Sequence, residues 1–358
     1  MATIPTTYRA FQRTAGIGMA EKPITIEPIT RTLPNGGKLG PHDVLTRIRA
    51  VSLNFRDIAI LTGRYTTGTA DGGIPASDCA AEVTALGSSV TDFQVGDRVS
   101  PIFSLGNITG YEEGLFSHNE LGGDIDGVLR EYAVFEDKVL VHLPKNLTWE
   151  EASTISCAGV TAWNAIGAPG SFDKGKTALL QGTGGVSMFS LLIALAGGVK
   201  PIITSSSDEK LAAIKKLAPP GKIGGYNYKT NPDQPVAVKA LTGGKGVDIV
   251  VNNCGPQSIP EDIASLRRHG TVSLVGMLEG LAADWNPAQL LTLISKNGRL
   301  QAIAVGSKLD FQALNDFIET NEIKLEVLVD RVFEFDDSEA AFQYLGSGKH
   351  VGKVVIKM

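Results

Sequence analysis

Residues 178–198 read ALLQGTGGVSMFSLLIALAGG. A short apolar run ends at Gln181, the glycines Gly182, Gly184 and Gly185 follow, and a longer apolar run begins at Val186. Strand, glycine turn, then helix is the order a pyrophosphate group needs. Gly182 permits the tight turn and Gly184 lets the backbone come close to the phosphates. The helix beyond offers unpaired N–H groups and the positive end of its dipole. Thr183 lies within the turn, and Ser187 stands where a third glycine is common and a small residue suffices for helix–strand packing. Glycine turns between strand and helix are frequent, so this one takes its meaning from the βαβ pattern around it. Together they predict a bound dinucleotide.

Which dinucleotide depends on the end of the following strand, where a carboxylate would accept hydrogen bonds from the ribose of NAD. Here the chain carries Ser205, Ser206 and Ser207, then Asp208, Glu209 and Lys210. Neutral hydroxyls and a lysine suit a 2′-phosphate, which no carboxylate then repels. NADPH is therefore the expected cofactor. A register slip that brings Asp208 to the ribose would instead permit NADH, and a solvated first helical turn accounts equally for Asp208 and Glu209.

The elements that must position this turn can be read from patterning. Residues 1–140 form short strand-like runs broken by turns, among them Tyr8–Arg13, DVLTRIRAVSL (43–53), EVTALGSSV (82–90) and VGDRVSPIF (95–103). From Ser104 to Gly127 the chain is glycine-rich and irregular, a long loop of the kind that carries function. The character changes near Pro144. Thr148 to Glu151 fits a capping box with a helix behind it. Apolar strands then alternate with helices: 177–181, 186–196, 201–205, 208–218, 247–254 and 271–277. That alternation predicts an α/β domain with a parallel sheet covered on both faces. After Asp310 come a helix, the strand RVFEF, another helix and the strand VGKVVIKM, whose Lys353 reads as a surface residue.

Composition bounds the rest. At 358 residues, with roughly 150 per domain as a prior, two domains are expected. A net charge of −5 with no clustered Lys and Arg argues against a nucleic-acid partner. The apolar stretch around Leu191–Ala196 falls far short of the roughly 20 residues that span a membrane. Cys79, Cys157 and Cys254 are too widely spaced for a disulfide framework or a structural zinc lobe, and free thiols fit a reducing compartment. Arg9 and Arg13 weakly suggest a targeting segment, but a first strand explains them better, so cytoplasm is expected.

With these segments in hand, the chain resembles the medium-chain dehydrogenase/reductase superfamily over nearly its whole length. The resemblance rests on Val95–Val99 (VGDRV), Cys157–Ala162 (CAGVTA), the QGTGGVS turn, Tyr226–Thr230 (YNYKT) and the segment GSGKHVGK at 346–353. It implies a GroES-like (chaperonin-10-like) β-barrel from residues 1–143 and 308–358, and a Rossmann doubly wound parallel sheet from 144–307. A homodimer is implied as well. Many members hold a catalytic zinc with a Cys of C-x-x-D, a His of G-H-E and a second Cys. In this sequence Asn54-Phe-Arg-Asp57 stands at the first place and Ala76-Ser-Asp78 at the second, leaving Cys157 alone at the third. One thiolate does not satisfy zinc, which takes three protein ligands and a water. None of the five histidines is paired at ligand spacing. The expectation is a zinc-free member.

The N-x-x-D form looks like the quinone oxidoreductase and enoyl reductase branches. Hydride addition to an enone or quinone needs a hydrogen-bond donor and a proton rather than a Lewis acid. By resemblance, Tyr65 matches a proton-donating tyrosine, although a tyrosine packed in the barrel is the plain alternative. Asn54 would lie near the nicotinamide ribose, and Asp57 would bind local N–H groups or Arg56. Thr161, Asn253-Cys254, Gly276-Met277 and Val305-Gly306-Ser307 would approach the nicotinamide, and Tyr228 the 2′-phosphate. The long loop, Phe55, Tyr65 and Trp285 would wall the pocket; His118 reads as a solvated loop residue. The expected function is an NADPH-dependent enone or quinone reductase acting on a small molecule. The alternatives are a metal-free carbonyl reductase or alcohol dehydrogenase, and a non-catalytic NADPH-binding sensor or accessory subunit.

Overall fold

The structure, a computed structural model, describes residues 5–16, 24–65, 68–113, 119–167 and 175–358. The chain divides into two compact units, Met1–Val160 with Gly306–Met358, and Thr161–Val305. The sequence pattern puts the first change of unit at 143/144, whereas the structure keeps 144–160 with the first unit. Hydrogen bonds to the returning chain explain the difference: Lys145 N donates to Glu319 Oε1 (2.9 Å) and Leu325 N to Glu151 Oε1 (2.9 Å).

In the first unit, β1 (Thr7–Arg13) pairs antiparallel with β2 (Ile26–Thr32). The alternating run DVLTRIRAVSL becomes β3 (Asp43–Leu53), with its apolar side chains in the core. It pairs antiparallel with β4 (Asp78–Leu86), which pairs with β5 (Arg98–Pro101). β6 (Tyr132–Glu136) lies against β3, and β7 (Leu140–His142) against β5. The capping box forms as the sequence predicts, Thr148 N donating to Glu151 Oε2 (2.8 Å) and Glu151 N to Thr148 Oγ1 (3.2 Å). Its helix is interrupted, however. One turn at Trp149–Ala152 gives way to a π-helical stretch, Ile155–Gly159, before the α-helix Val160–Ile166.

The second unit holds β8 (Thr177–Leu180), β9 (Lys200–Ser205), β10 (Gly224–Asn227), β11 (Val247–Asn252), β12 (Leu266–Leu274) and β13 (Arg299–Ala302). All neighbours are parallel, in the order β10-β9-β8-β11-β12-β13. The central strands are apolar along their length because helices cover both faces. The helix Gly185–Ala196 buries Phe189, Leu191 and Ile193 almost completely, each contributing about 1.5–3 kcal/mol. The strand order reverses between β8 and β11. Ligands of such sheets bind beyond the C-terminal strand ends at that switch.

The chain then returns to the first unit through the helix Lys308–Thr320, β14 (Val329–Glu334), the helix Ser338–Gly346 and β15 (Lys353–Lys357). β15 pairs antiparallel with β3, setting Val354 opposite Leu53. Among the described residues, no helix is long and apolar enough to cross a membrane.

Candidate active site

In the Thr161–Val305 unit, the glycine turn leaves β8 at the switch point. Gly182 has φ +76°, a left-handed conformation that favours glycine, and its N–H donates to Thr204 Oγ1 (3.0 Å). A Cβ at Gly182 or Gly184 would meet nothing within 4 Å. The space above the turn is open, as an approaching phosphate requires. Gly184 is the N-cap of the following helix and supplies no side-chain cap, so the N–H groups of Gly185, Val186 and Ser187 face the turn without intrahelical partners. Ser187 does more than fit: its hydroxyl donates to Gln181 O (2.6 Å) and accepts from Asn253 Nδ2 (3.0 Å). These residues suit a dinucleotide pyrophosphate.

The three serines at the end of β9 fall into different environments. Ser205 is buried and its hydroxyl accepts from Ser207 N (3.1 Å), while Ser207 caps the next helix by accepting from Lys210 N (3.2 Å). Ser206 is exposed, as are Asp208 and Glu209 in the first helical turn. Tyr228 stands beside them, 46% exposed, its N–H donating to Ser205 O (3.1 Å).

The segments after β11 and β12 are joined backbone to backbone. Gly276 N donates to Asn252 O (3.2 Å) and Leu278 N to Asn253 O (3.1 Å), bracketing Met277. A Cβ at Gly276 would lie 2.8 Å from Asn253 O, so the close approach requires glycine. Cys254 has its thiol pushed up to about 12, by burial first and then by Glu279, and it stays protonated at neutral pH. Val305 adopts φ +57°, a strained conformation for a β-branched residue, and Asn164 Nδ2 holds its carbonyl (2.9 Å). Thr161 is buried in the helix that carries Asn164. Trp285, expected at a pocket wall, instead packs against the apolar core of this unit and donates to Pro256 O (2.8 Å). Its ring is large and apolar, and that core is where it is desolvated.

Residues Gly306 and Ser307 belong to the other unit. Ser307 forms a capping box with Asp310, donating through N (2.8 Å) and Oγ (2.7 Å) to Asp310 Oδ2. Asn54 is the N-cap of the helix Phe55–Leu61, and its N–H donates to Asp57 Oδ2 (2.7 Å). Burial raises the Asp57 carboxyl, against the pull of Arg56 and of the Asn54 N–H.

Lys353 corrects the sequence reading. It is 2% exposed, because the β15–β3 register sets it beside Leu53 and Asn54. Its ammonium donates to Leu53 O (2.8 Å) and Asn54 Oδ1 (2.5 Å) and lies 3.7 Å from Asp78 Oδ2. That same Asp78 oxygen accepts from Cys157 N (3.3 Å), and Asp78 is fully buried. Burial of the Cys157 thiol, with Asp78 nearby, raises it above its ordinary range. An ammonium has no lone pair and must face Oδ1 of Asn54, which leaves Nδ2 as the free donor. Nδ2 is buried and has no partner among the described residues.

A second cluster surrounds Tyr65. Arg56 Nε donates to the phenol oxygen (3.2 Å), the phenol donates to Glu120 Oε2 (2.9 Å), and Arg56 also pairs with that carboxylate (3.1 Å). Arg56 and Glu120 are both buried, and the guanidinium sits 4.6 Å from the centre of the Phe103 ring. Glu120 comes from the long loop, whose base is firmly packed: a Cβ at Gly122 or Gly127 would come within 2.6 or 2.0 Å of Ala76 O. Arg13 reinforces that base, donating to Gly122 O (2.8 Å) and Ala70 O (2.9 Å). His118 lies outside the described residues.

Sequence reasoning missed Lys353, Asp78's pairing, Glu120 and Asn164. At the three zinc-ligand positions named by the resemblance stand the amide of Asn54, the hydroxyl of Ser77 and the thiol of Cys157. That donor set does not fit zinc. Among the described residues, no group of three or more His, Cys, Asp or Glu could hold a metal ion.

Comparison with known proteins agrees with this architecture. Residues 40–145 match the alcohol dehydrogenase GroES-like domain, and residues 185–320 match the zinc-binding dehydrogenase family, a stretch that contains none of the three ligand positions. A zinc-type alcohol dehydrogenase-like protein of Schizosaccharomyces pombe is 37% identical over 324 residues, 90% of this chain and 92% of its own. A Sinorhizobium meliloti 1021 protein assigned as an alcohol dehydrogenase has the same fold, with TM-score 0.88 and 32% identity over 99% of this chain and 100% of that one. A 2-octenoyl-CoA carboxylase reductase solved with NADP and 2-octenoyl-CoA shares the fold at 21% identity and TM-score 0.83, covering 99% of this chain and 88% of that one. Identity at this level across nine-tenths of the sequence is decisive: the chain belongs to the medium-chain dehydrogenase/reductase superfamily and is an oxidoreductase built for a nicotinamide cofactor.

Proposed function

We propose that the protein is an NADPH-dependent, zinc-independent reductase that delivers hydride to an activated C=C bond or a quinone. Lys353 is the observation that carries this reading. It engages Asn54, at the first of the family's three ligand positions, and Asp78, the neighbour of Ser77 at the second, while Cys157 at the third bonds through its backbone to the same Asp78 oxygen. A metal cation among them would meet the lysine's charge at close range, and neither Asn54 nor Ser77 offers a thiolate or imidazole.

When bound, the reduced nicotinamide supplies the hydride. The chain supplies the rest. Gly182 to Val186 receive the pyrophosphate, and Ser206, Lys210 and Tyr228 receive the 2′-phosphate, with Ser205 and Ser207 shaping their turn. Thr161, Asn253, Cys254, Gly276, Met277 and Val305 to Ser307 bound the nicotinamide. Asn54, its amide oriented by Lys353, donates from Nδ2. Tyr65 is the proton source: the Arg56 N–H on its oxygen stabilises the phenolate left behind, while Glu120 holds the proton until substrate competes for it.

The alcohol dehydrogenase names among the relatives favour a second reading, carbonyl reduction with Tyr65 or Asn54 polarising the oxygen in place of a metal. Product analysis separates the two. Purified protein with NADPH and a simple α,β-unsaturated ketone is expected to give the saturated ketone by NMR; an allylic alcohol would overturn the first reading in favour of the second. The partner in solution is a second copy of the chain, since β13 ends its sheet and the segment before it leaves Leu291 and Ile294 64% and 76% exposed. Light scattering should give twice 37.8 kDa; a monomer mass contradicts this. Three unpaired cysteines suit the reducing cytoplasm, which fractionation would test.

A further inference from the structure

Beneath the glycine turn lies a buried polar cluster that the proposed chemistry leaves unused. At its centre is Asp262, on the helix Ile259–Ser265 and fully buried. Its Oδ1 accepts from Gln181 Nε2 (2.7 Å) and Gln234 Nε2 (2.7 Å), and its Oδ2 from Asn252 Nδ2 (2.6 Å) and Ser258 Oγ (3.1 Å). Four donors converging on two oxygens call for an acceptor-only, ionised carboxylate.

Gln181 relays that arrangement to the turns. Its Oε1 accepts from Asn253 N (3.1 Å) and Cys254 N (3.3 Å). Backbone N–H groups can only donate, so Oε1 must face them and Nε2 must face Asp262. The Gln181 carbonyl in turn accepts from Ser187 Oγ (2.6 Å) and Asn253 Nδ2 (3.1 Å). One carboxylate thus fixes the side chain that ties the end of β8 to the end of β11, on either side of the switch point.

We infer that Asp262 is a positioning residue of the cofactor site: ionised, it locks the β8 turn to the β11 turn, and protonation expels one of its four donors, loosens both turns and weakens cofactor binding. This rests on the reading of the β8 turn as the cofactor's seat. Burial raises the Asp262 carboxyl to about 6, against its hydrogen bonds from Gln234, Asn252 and Ser258, and Glu261 on its own helix pushes the same way as burial. The other titratable groups facing it are Tyr226 of β10 and Cys254 after β11, both raised by burial and neutral in this range.

The sign of the linkage makes the inference distinctive. Because the folded carboxyl titrates above its ordinary 3.8, the stability it contributes is present below that value and is lost as pH rises through about 6. Acidification from neutral pH therefore steadies the fold at this position while it weakens the cofactor site. A residue with a purely structural role would move both in the same direction.

The test is the dissociation constant of NADPH, read by nicotinamide fluorescence from about pH 5 to about pH 8, for the wild type, Asp262→Asn and Ser258→Ala. Wild-type-to-variant ratios cancel the titration of the 2′-phosphate, whose own pKa is about 6. Asp262→Asn should bind about tenfold more weakly at the alkaline end, the size of one hydrogen bond to a charged group, and should converge with the wild type at the acid end. Ser258→Ala keeps the carboxylate but removes a donor, so its binding midpoint should move to higher pH; it carries the test if Asp262→Asn does not fold. A constant ratio across the range, or an unmoved midpoint in Ser258→Ala, overturns the inference. Failure of the wild type to bind NADPH at any pH would overturn the cofactor reading itself.

Discussion

The turn after β8 and the cluster around Asn54 are made of different materials. Around Gly182 and Gly184 the chain offers backbone N–H groups, open space and no side-chain charge. Around Asn54 it gathers Lys353 and Asp78, and around the neighbouring Tyr65 it pairs Arg56 with Glu120, all four charged residues buried. A phosphate cradle made of backbone survives substitution of most nearby side chains, whereas buried charges depend on one another. Removing one partner leaves the other desolvated and unpaired. The fold thus depends heavily on the cluster proposed to do the chemistry, and is largely indifferent to the glycine turn proposed to receive the pyrophosphate.

The sharpest attack on this contrast is Lys353→Met. It strands the fully buried Asp78 carboxylate and is expected to cost about 3–5 kcal/mol in urea unfolding, with Lys353→Met/Asp78→Asn recovering much of it. A loss below about 1 kcal/mol would mean the pair behaves like a surface ion pair, and the contrast would fail. Tyr65→Phe probes chemistry more than stability. Loss of the proposed proton donor should lower kcat about 100-fold, while the fold loses about the worth of one hydrogen bond, near 1 kcal/mol. Unchanged turnover would return Tyr65 to the role of a packing aromatic. Lys210→Ala, at the edge of the cradle, should have the mildest effect: the preference for NADPH over NADH should fall about five- to tenfold, with the unfolding midpoint unmoved. If the preference persists, Lys210 is not a 2′-phosphate ligand.

Much of the second unit was legible because its signals are local. The run from Ala178 to Ala196 announces strand, turn and helix within a single window; in the first unit, Thr148 with Glu151 likewise announces a cap at short range. β10 and β13 carried no such signal. Gly224 and Gly225 disguise the first as a turn, and the second is short and open to solvent along most of its length. Lys353 was misread for a different reason. In VGKVVIKM every second residue could face either way, and only the pairing of β15 with β3, some three hundred residues away in the chain, turns the ammonium inward. Glu120 is likewise joined to Tyr65 across a 55-residue separation inside an irregular loop. The serines at 205–207 were found as a group, but their division into one exposed and two engaged hydroxyls depends on where the strand stops and the helix is capped.

The packing of Gly122 and Gly127 onto the Ala76 carbonyl sets terms for anyone wishing to redesign the loop expected to wall the substrate pocket. The root of that loop cannot accept a side chain without displacing main chain, so a mutant library spread over it would mostly sample broken molecules. The stretch from Thr109 to Glu113 has the opposite character: all five residues are exposed, Tyr111 at 92%. Grafts and insertions belong there, on a tip anchored by a root that already resists being moved.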